Sequence, residues 1–137
     1  MSPRGGGPRP LVLVLVAVAG VALGSALARR FLDAVEVVGD SMAPQLRPGD
    51  RLIVESATYA RRSPRVGEIV LAADPRRLER ELIKRVALVD PAAATVDLRG
   101  DAPEASTDSR AFGAVPLESV RWRVAFRYWP ADRVGPA

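Results

Sequence analysis

A chain of 137 residues with a net charge of +4 is one domain's worth of sequence. It contains no cysteine and no histidine, which excludes disulfides, thiolate or imidazole metal sites, a cysteine nucleophile and a Ser-His-Asp triad; any hydrolysis must use another base. The arginines are scattered among acids with no long basic run, so charge gives no reason to expect nucleic acid as a partner, and nothing in the composition calls for a metal or cofactor.

Met1 to Pro10 is rich in Gly and Pro, carries Arg4 and Arg9, and reads as a disordered basic start. Leu11 to Ala28 follows as eighteen residues without a charge, closed by Arg29 and Arg30. As a helix this run spans roughly 27 Å, enough for the hydrocarbon core of a bilayer. A cleavable signal peptide is the rival reading, with small residues at Gly24-Ser25-Ala26-Leu27-Ala28. The apolar run is long for a signal peptide, so an uncleaved anchor is expected. Arginines flank both ends and charge does not fix its orientation.

The remainder, about 105 residues, reads as β. Strands are expected at Ala34–Val38, Arg51–Glu55, Glu68–Ala72, Leu82–Val89, Ala94–Leu98 and Ser119–Trp129, separated by Gly, Pro and Asp turn signals. In the last, alternation puts Val120, Trp122, Val124, Phe126 and Tyr128 on one face and Arg121, Arg123 and Arg127 on the other. Core packing is the expectation for these rings, leaving Trp129 for a lipid interface. Pro75–Glu81 is a weak helical candidate. Short strands between such turns imply a mainly β barrel or sandwich.

Three segments carry residues of chemical interest. Gly39-Asp40-Ser41-Met42-Ala43-Pro44 places a serine at a tight turn, where its own N–H is free to serve as half of an oxyanion hole. Lys84 is the only lysine among twenty basic residues. Strand alternation sets it on the face of Leu82, Val86 and Leu88, where burial disfavours the ammonium. To act as a base near neutral pH it must fall by roughly 2–3 units from about 10.4. Gly100 to Arg110 is a loop of short polar side chains, in which Ser106 could orient the amine while Asp108 and Arg110 brace the loop as an ion pair. Taken singly, each segment also fits a plainer reading: a serine in a turn, a lysine left by chance, a structural loop.

Together they resemble the signal peptidase I family of membrane-anchored Ser/Lys proteases. Ser41-Met42-Ala43-Pro44-Gln45-Leu46 matches its nucleophile box, and Pro48-Gly49-Asp50-Arg51-Leu52-Ile53-Val54 the strand after it. Gly67-Glu68-Ile69-Val70 resembles its Gly-Asp-Ile-Val segment, and Lys84-Arg85-Val86 its general-base box. Gly100-Asp101, Ser106, Asp108-Ser109-Arg110, Phe112-Gly113 and Val115-Pro116 match its last box in order and spacing. The resemblance spans roughly Val35 to Val124. It implies a coiled, barrel-like β catalytic domain, here over residues 34–130, behind a transmembrane helix at 11–28. It also implies Ser41 as nucleophile, Lys84 as general base, the Ser41 N–H as oxyanion donor and Ser106 as holder of the amine, with Gly39, Met42, Asp108 and Arg110 in support.

The chain departs from the family at Gly39, where a hydroxyl donor to the oxyanion is often found, at Ala87-Leu88-Val89-Asp90-Pro91 and at Ala102. Only fourteen residues separate Arg85 from Gly100, so the large inserted β-domain of some members is missing. The Pro103 to Arg110 wording and Arg127-Tyr128-Trp129-Pro130 resemble a short branch, the nickel-type superoxide dismutase maturation proteases. The implied partners are precursors with small residues at the first and third positions before the cut, and the lipid bilayer. The implied place is the plasma membrane, with the catalytic domain on its extracytoplasmic side. Thirteen residues join Ala28 to Ser41, a reach of at most about 45 Å, which keeps the serine near the bilayer surface. A maturation protease for one pro-enzyme and a tethered β-domain that binds peptides without cutting them are the alternatives.

Overall fold

A computed structural model describes residues 10–137; the basic start at residues 1–9 lies outside the described residues. Helix α1 runs Pro10–Phe31, three residues past the expected end. Arg29 and Arg30 fall in its last turn, where cations favour the helix C-terminus rather than stop it. Leu11–Phe31 has a mean hydropathy of 2.6 and the length to cross a membrane.

From Leu32 onward the chain forms a unit of its own. Its strands are β1 (Leu32–Glu36), β2 (Arg51–Glu55), β3 (Ile69–Asp74), β4 (Arg77–Asp90), β5 (Thr95–Arg99), β6 (Val115–Pro116) and β7 (Val120–Trp129), with a short helix α2 (Ser109–Phe112) before β6. All seven strands join one antiparallel sheet in the order β1-β2-β7-β3-β4-β5-β6. The expected mainly β domain behind one apolar helix is what the structure has.

Both faces of this sheet are packed. Every residue of β3 is buried, which is why Ile69-Val70-Leu71-Ala72-Ala73 is a continuous apolar run rather than an alternating one. Ile69 and Leu71 join Val37, Met42, Leu46, Leu52, Val54 and Val124 in a first core. Val70 and Ala72 join Val86, Val96, Leu98, Val115 and Val120 in a second.

Two expectations fail here, for physical reasons. Pro75–Glu81 is not helical: Asp74 folds back to accept hydrogen bonds from Arg76 N at 2.9 Å, Arg76 Nε at 3.0 Å and Arg76 Nη2 at 2.8 Å, closing a hairpin. Arg77 begins β4, pairing with Asp74, and Glu81 pairs with Ala73. Sheet pairing overrides a weak helical propensity.

Strict alternation also fails, because bulges shift the face that each residue presents. On β7 the partners skip Arg121, Ala125 and Tyr128. Val120 therefore joins the second core while Trp122 and Val124 pack on the first. Phe126 and Tyr128, expected in the core, are 39% and 38% exposed, and Trp129 is 51% exposed. On β4 the pairing with β5 skips Ala87. Leu88, expected beside Lys84, is 60% exposed, and Val89 packs on the second core instead.

This placement is testable by denaturant unfolding of the full chain in detergent. Leu98→Ala, at a site 1% exposed, is expected to cost about 2–5 kcal/mol, whereas Leu88→Ala should stay within about 0.5 kcal/mol. Equal losses would place Leu88 back in the core.

Candidate active site

Ser41 sits in a closed loop pinned at its neck. Val37 N donates to Asp50 O at 2.8 Å and Gly49 N to Val37 O at 3.0 Å. Within the loop Gly39 takes φ +84°, a backbone angle that costs glycine little. Ala43 N then donates to Asp40 O at 3.0 Å and Leu46 N to Met42 O at 2.8 Å. Met42 and Leu46, 1% and 0% exposed, anchor the turn in the first core. Burying such side chains is worth about 1.5–3 kcal/mol each, so the serine is carried by packing rather than by a loose loop. Among the described residues no acceptor takes the Ser41 N–H. The buried carboxylate of Asp50 ties down the far side, accepting from Arg47 N at 3.0 Å and Arg133 Nη1 at 2.8 Å.

Lys84 lies on β4 directly opposite Val70, on the face of the second core, and is 4% exposed. Its Nζ is 2.7 Å from Ser41 Oγ. Burial pushes the amine below its ordinary pKa. The Asp108 anion opposes this, and the nearby guanidiniums of Arg80, Arg76 and Arg110 add to it.

The third segment closes the site from behind. Asp108 is fully buried. Its carboxylate accepts from Ser106 Oγ at 2.5 Å, Gly100 N at 2.8 Å, Arg110 N at 3.1 Å, Arg110 Nε at 2.9 Å and Arg110 Nη2 at 2.5 Å. Burial alone would raise its pKa. The hydrogen bonds from Arg110, Ser106 and the two amides outweigh burial and hold the carboxyl well below the usual range. The hydroxyl of Ser106 is thus directed at Asp108, and its hydrogen bond is not to Lys84.

Several contacts that build the site were not readable beforehand. Ala102 N donates to Ser41 O at 3.0 Å. Gly100 is buried against the same carbonyl: a Cβ there would collide with Ser41 O and Ser106 Oγ. Arg85, next to Lys84, forms a two-pronged pair with Asp101 at 2.8 and 2.7 Å and donates to Gly67 O at 2.8 Å. The Lys84-Arg85 and Gly100-Asp101 motifs contain these residues, but a motif does not say that its members touch each other. Arg133 lies beyond every motif.

Two cavities open on Ser41 and Lys84. One of about 180 Å³ is walled by Val37, Met42, Leu82 and Ile83 together with the charged Glu36, Arg80 and Glu81. The other, about 200 Å³, is more polar and reaches Ala105 and Thr107. A hydroxyl and a desolvated amine are thus in contact, each beside a cavity, and these are the two groups that a serine-type hydrolase without imidazole would need.

Residues 10–91 match the family described as signal peptidase, peptidase S26. The chain is 32% identical over 119 residues to the mitochondrial ATP-independent inner membrane protease subunit 1b of Arabidopsis thaliana, covering 72% of this chain and 70% of that one. It is 31% identical over 116 residues to the mitochondrial inner membrane protease subunit 1 of Xenopus tropicalis, with the same two coverages. It is 29% identical over 159 residues to a probable signal peptidase I-1 of Synechocystis, covering 84% and 81%. The fold, the apolar helix and these likenesses define a membrane protease of the serine type. The chain belongs to the signal peptidase family, peptidase S26. The match holds Ser41 and Lys84, while Gly100 to Arg110 lies outside it.

The close approach at Gly100 gives a test. Gly100→Ala must push the Ser41 turn and Ser106 apart. Displacements on this scale cost roughly 10²-fold in rate, so peptide hydrolysis should fall by about that factor while circular dichroism keeps the β signature. An unchanged rate would show that this contact does not position the serine.

Proposed function

We propose that the protein is a single-pass membrane endopeptidase that removes signal peptides from exported precursors, with Ser41 as nucleophile and Lys84 as general base. The observation that carries this reading is the 2.7 Å contact between Ser41 Oγ and a buried Lys84 Nζ. In a chain without histidine, no other base lies within hydrogen-bond reach of that hydroxyl among the described residues.

The neutral amine takes the proton from Ser41 Oγ as the oxygen attacks the scissile carbonyl. The tetrahedral oxyanion forms beside the Ser41 N–H, which has no other acceptor. Gly39 brings no side-chain donor, so the oxyanion depends on backbone amides. The ammonium then gives its proton to the leaving amine, the peptide C–N bond breaks and an acyl-enzyme remains. Water, activated by the neutral amine, hydrolyses that ester and regenerates Ser41. Ser106 donates to Asp108 and keeps lone pairs for the amine once it is charged. The small cavity of about 180 Å³ suits short side chains at the first and third positions before the cut. The apolar helix keeps the enzyme at the bilayer, where such precursors emerge. The assigned place is the plasma membrane, with the catalytic domain on the extracytoplasmic side.

Precursor cleavage by the purified full chain tests the roles. Ser41→Ala and Lys84→Arg should each reduce the rate by at least about 10⁴-fold; a wild-type rate in either variant sinks the assignment. The pH profile tests the base separately. Only the neutral amine works, so activity should rise with pH through the lowered Lys84 pKa. Asp108 favours the ammonium, so Asp108→Asn should move this acid limb to lower pH, whatever it does to the maximal rate. A limb that stays put would mean that Lys84 is not the titrating group.

A further inference from the structure

The two cavities beside Ser41 share one charged wall. Arg80 lines both. It lies four residues before Lys84 on the same strand, and Arg80, Leu82 and Lys84 share the walls of both cavities. At about 3.3 Å per residue the Arg80 and Lys84 backbones are roughly 13 Å apart, about the span of a few residues of an extended peptide lying along β4.

Arg80 is in no ion pair among the described residues; the carboxylate it shares a further cavity with, Asp74, is taken by Arg76. Arg76 is committed to the buried Asp74, with Nη2 at 2.8 Å from the carboxylate, and its guanidinium lies 5.5 Å from the centre of the Phe112 ring. The acids that line the cavities do not take Arg80 either. Glu36 is 3.6 Å from Arg51, and neither Asp40 nor Glu81 forms an ion pair among the described residues. The guanidinium is exposed and enters none of the ion pairs or side-chain hydrogen bonds found there. A planar five-donor group at the mouth of a substrate cleft matches a carboxylate.

We propose that Arg80 is a specificity-determining residue that binds an acidic side chain of the substrate within two residues of the scissile bond. The proposal rests on Ser41 and Lys84 marking the substrate site. Arg80 also disfavours the ammonium at Lys84, but that action would affect all substrates alike, whereas recognition changes the ratio between an acidic peptide and its neutral isostere.

The experiment uses the full chain in detergent micelles. The probes are fluorescent peptides with Ala at the first and third positions before the cut, and Glu or Gln at the second position before it or at either of the two positions after it. Binding is measured by anisotropy on Ser41→Ala, and cleavage on the wild type. At one of these positions the Glu peptide should bind Ser41→Ala about tenfold more tightly than the Gln peptide. Adding Arg80→Gln should bring that ratio to about one, and Arg80→Lys, which keeps the charge but loses the fork, should leave it in between. A Glu/Gln ratio indifferent to Arg80 at all three positions overturns the proposal. Cleavage with an indifferent ratio leaves the proteolytic reading standing and removes this one. Arg80-dependent binding without cleavage does the reverse.

Discussion

A lysine that is to accept a proton must be kept out of water without being left beside an uncompensated anion. Lys84 meets the first condition through the sheet. It projects from a strand opposite the fully buried Val70, beside the aliphatic side chains of the second core. The second condition is harder, because Asp108 lies close enough to raise the lysine's pKa. Were that carboxylate free, it would hold the lysine as an ammonium and the pair would settle into a salt bridge. It is instead saturated by Arg110, Ser106 and the amides of Gly100 and Arg110. Burial is the largest influence on Lys84 and opposes the ammonium; the three nearby arginines act in the same direction, against Asp108. The same hydrogen bonds tie Arg110 and Gly100 to one buried carboxylate, so the network also holds the loop in place.

The rest of the catalytic domain can be read as support for this contact. Ser41 and Lys84 are 43 residues apart in sequence and come from different layers of structure, so their 2.7 Å separation depends on each being fixed independently. Met42 and Leu46 fix the serine turn in one core, and the β3–β4 ladder fixes the lysine over the other. Gly100 and Ala102 join them by gripping the carbonyl of Ser41, while Arg85 ties β4 to the same loop through Asp101. Sites held on packed elements keep their geometry better than sites on free loops.

This division explains what the sequence disclosed. The β class, the apolar helix and the three segments were legible because each rests on local pattern: turn residues, a charge-free run, short motifs. The bulges at Ala87, Arg121 and Ala125 were not, since a bulge arises from how two strands meet and leaves no mark on one of them. Leu88, Phe126 and Tyr128 were therefore assigned to the wrong face. The hairpin at Pro75 to Glu81 was missed for a related reason: a short, highly charged segment reads at most as a weak helix, and only the pairing of Glu81 with Ala73 makes it a strand. At the site, residue types were legible and contacts were not. Ser106 was expected against the amine, but the carboxylate two residues on is the stronger acceptor and takes its hydroxyl.

The contrast between one lysine and many arginines then has a structural account. Where this fold needs a permanent charge it uses the planar fork of arginine. Arg76 grips Asp74 at 3.0 and 2.8 Å, Arg85 grips Asp101 at 2.8 and 2.7 Å, and Arg110 grips Asp108 at 2.9 and 2.5 Å, each through Nε and Nη2. A guanidinium suits these places because it stays charged and presents donors in a fixed plane. Position 84 has the opposite requirement. The Lys84 amine makes one side-chain hydrogen bond, to the Ser41 hydroxyl, so a guanidinium there would bring five donors and a charge that it cannot release. A single amine has three donors when charged and can shed the proton that burial makes costly. Composition and site geometry thus agree: the ion pairs among the described residues use arginine, and the one lysine is the buried residue in contact with Ser41.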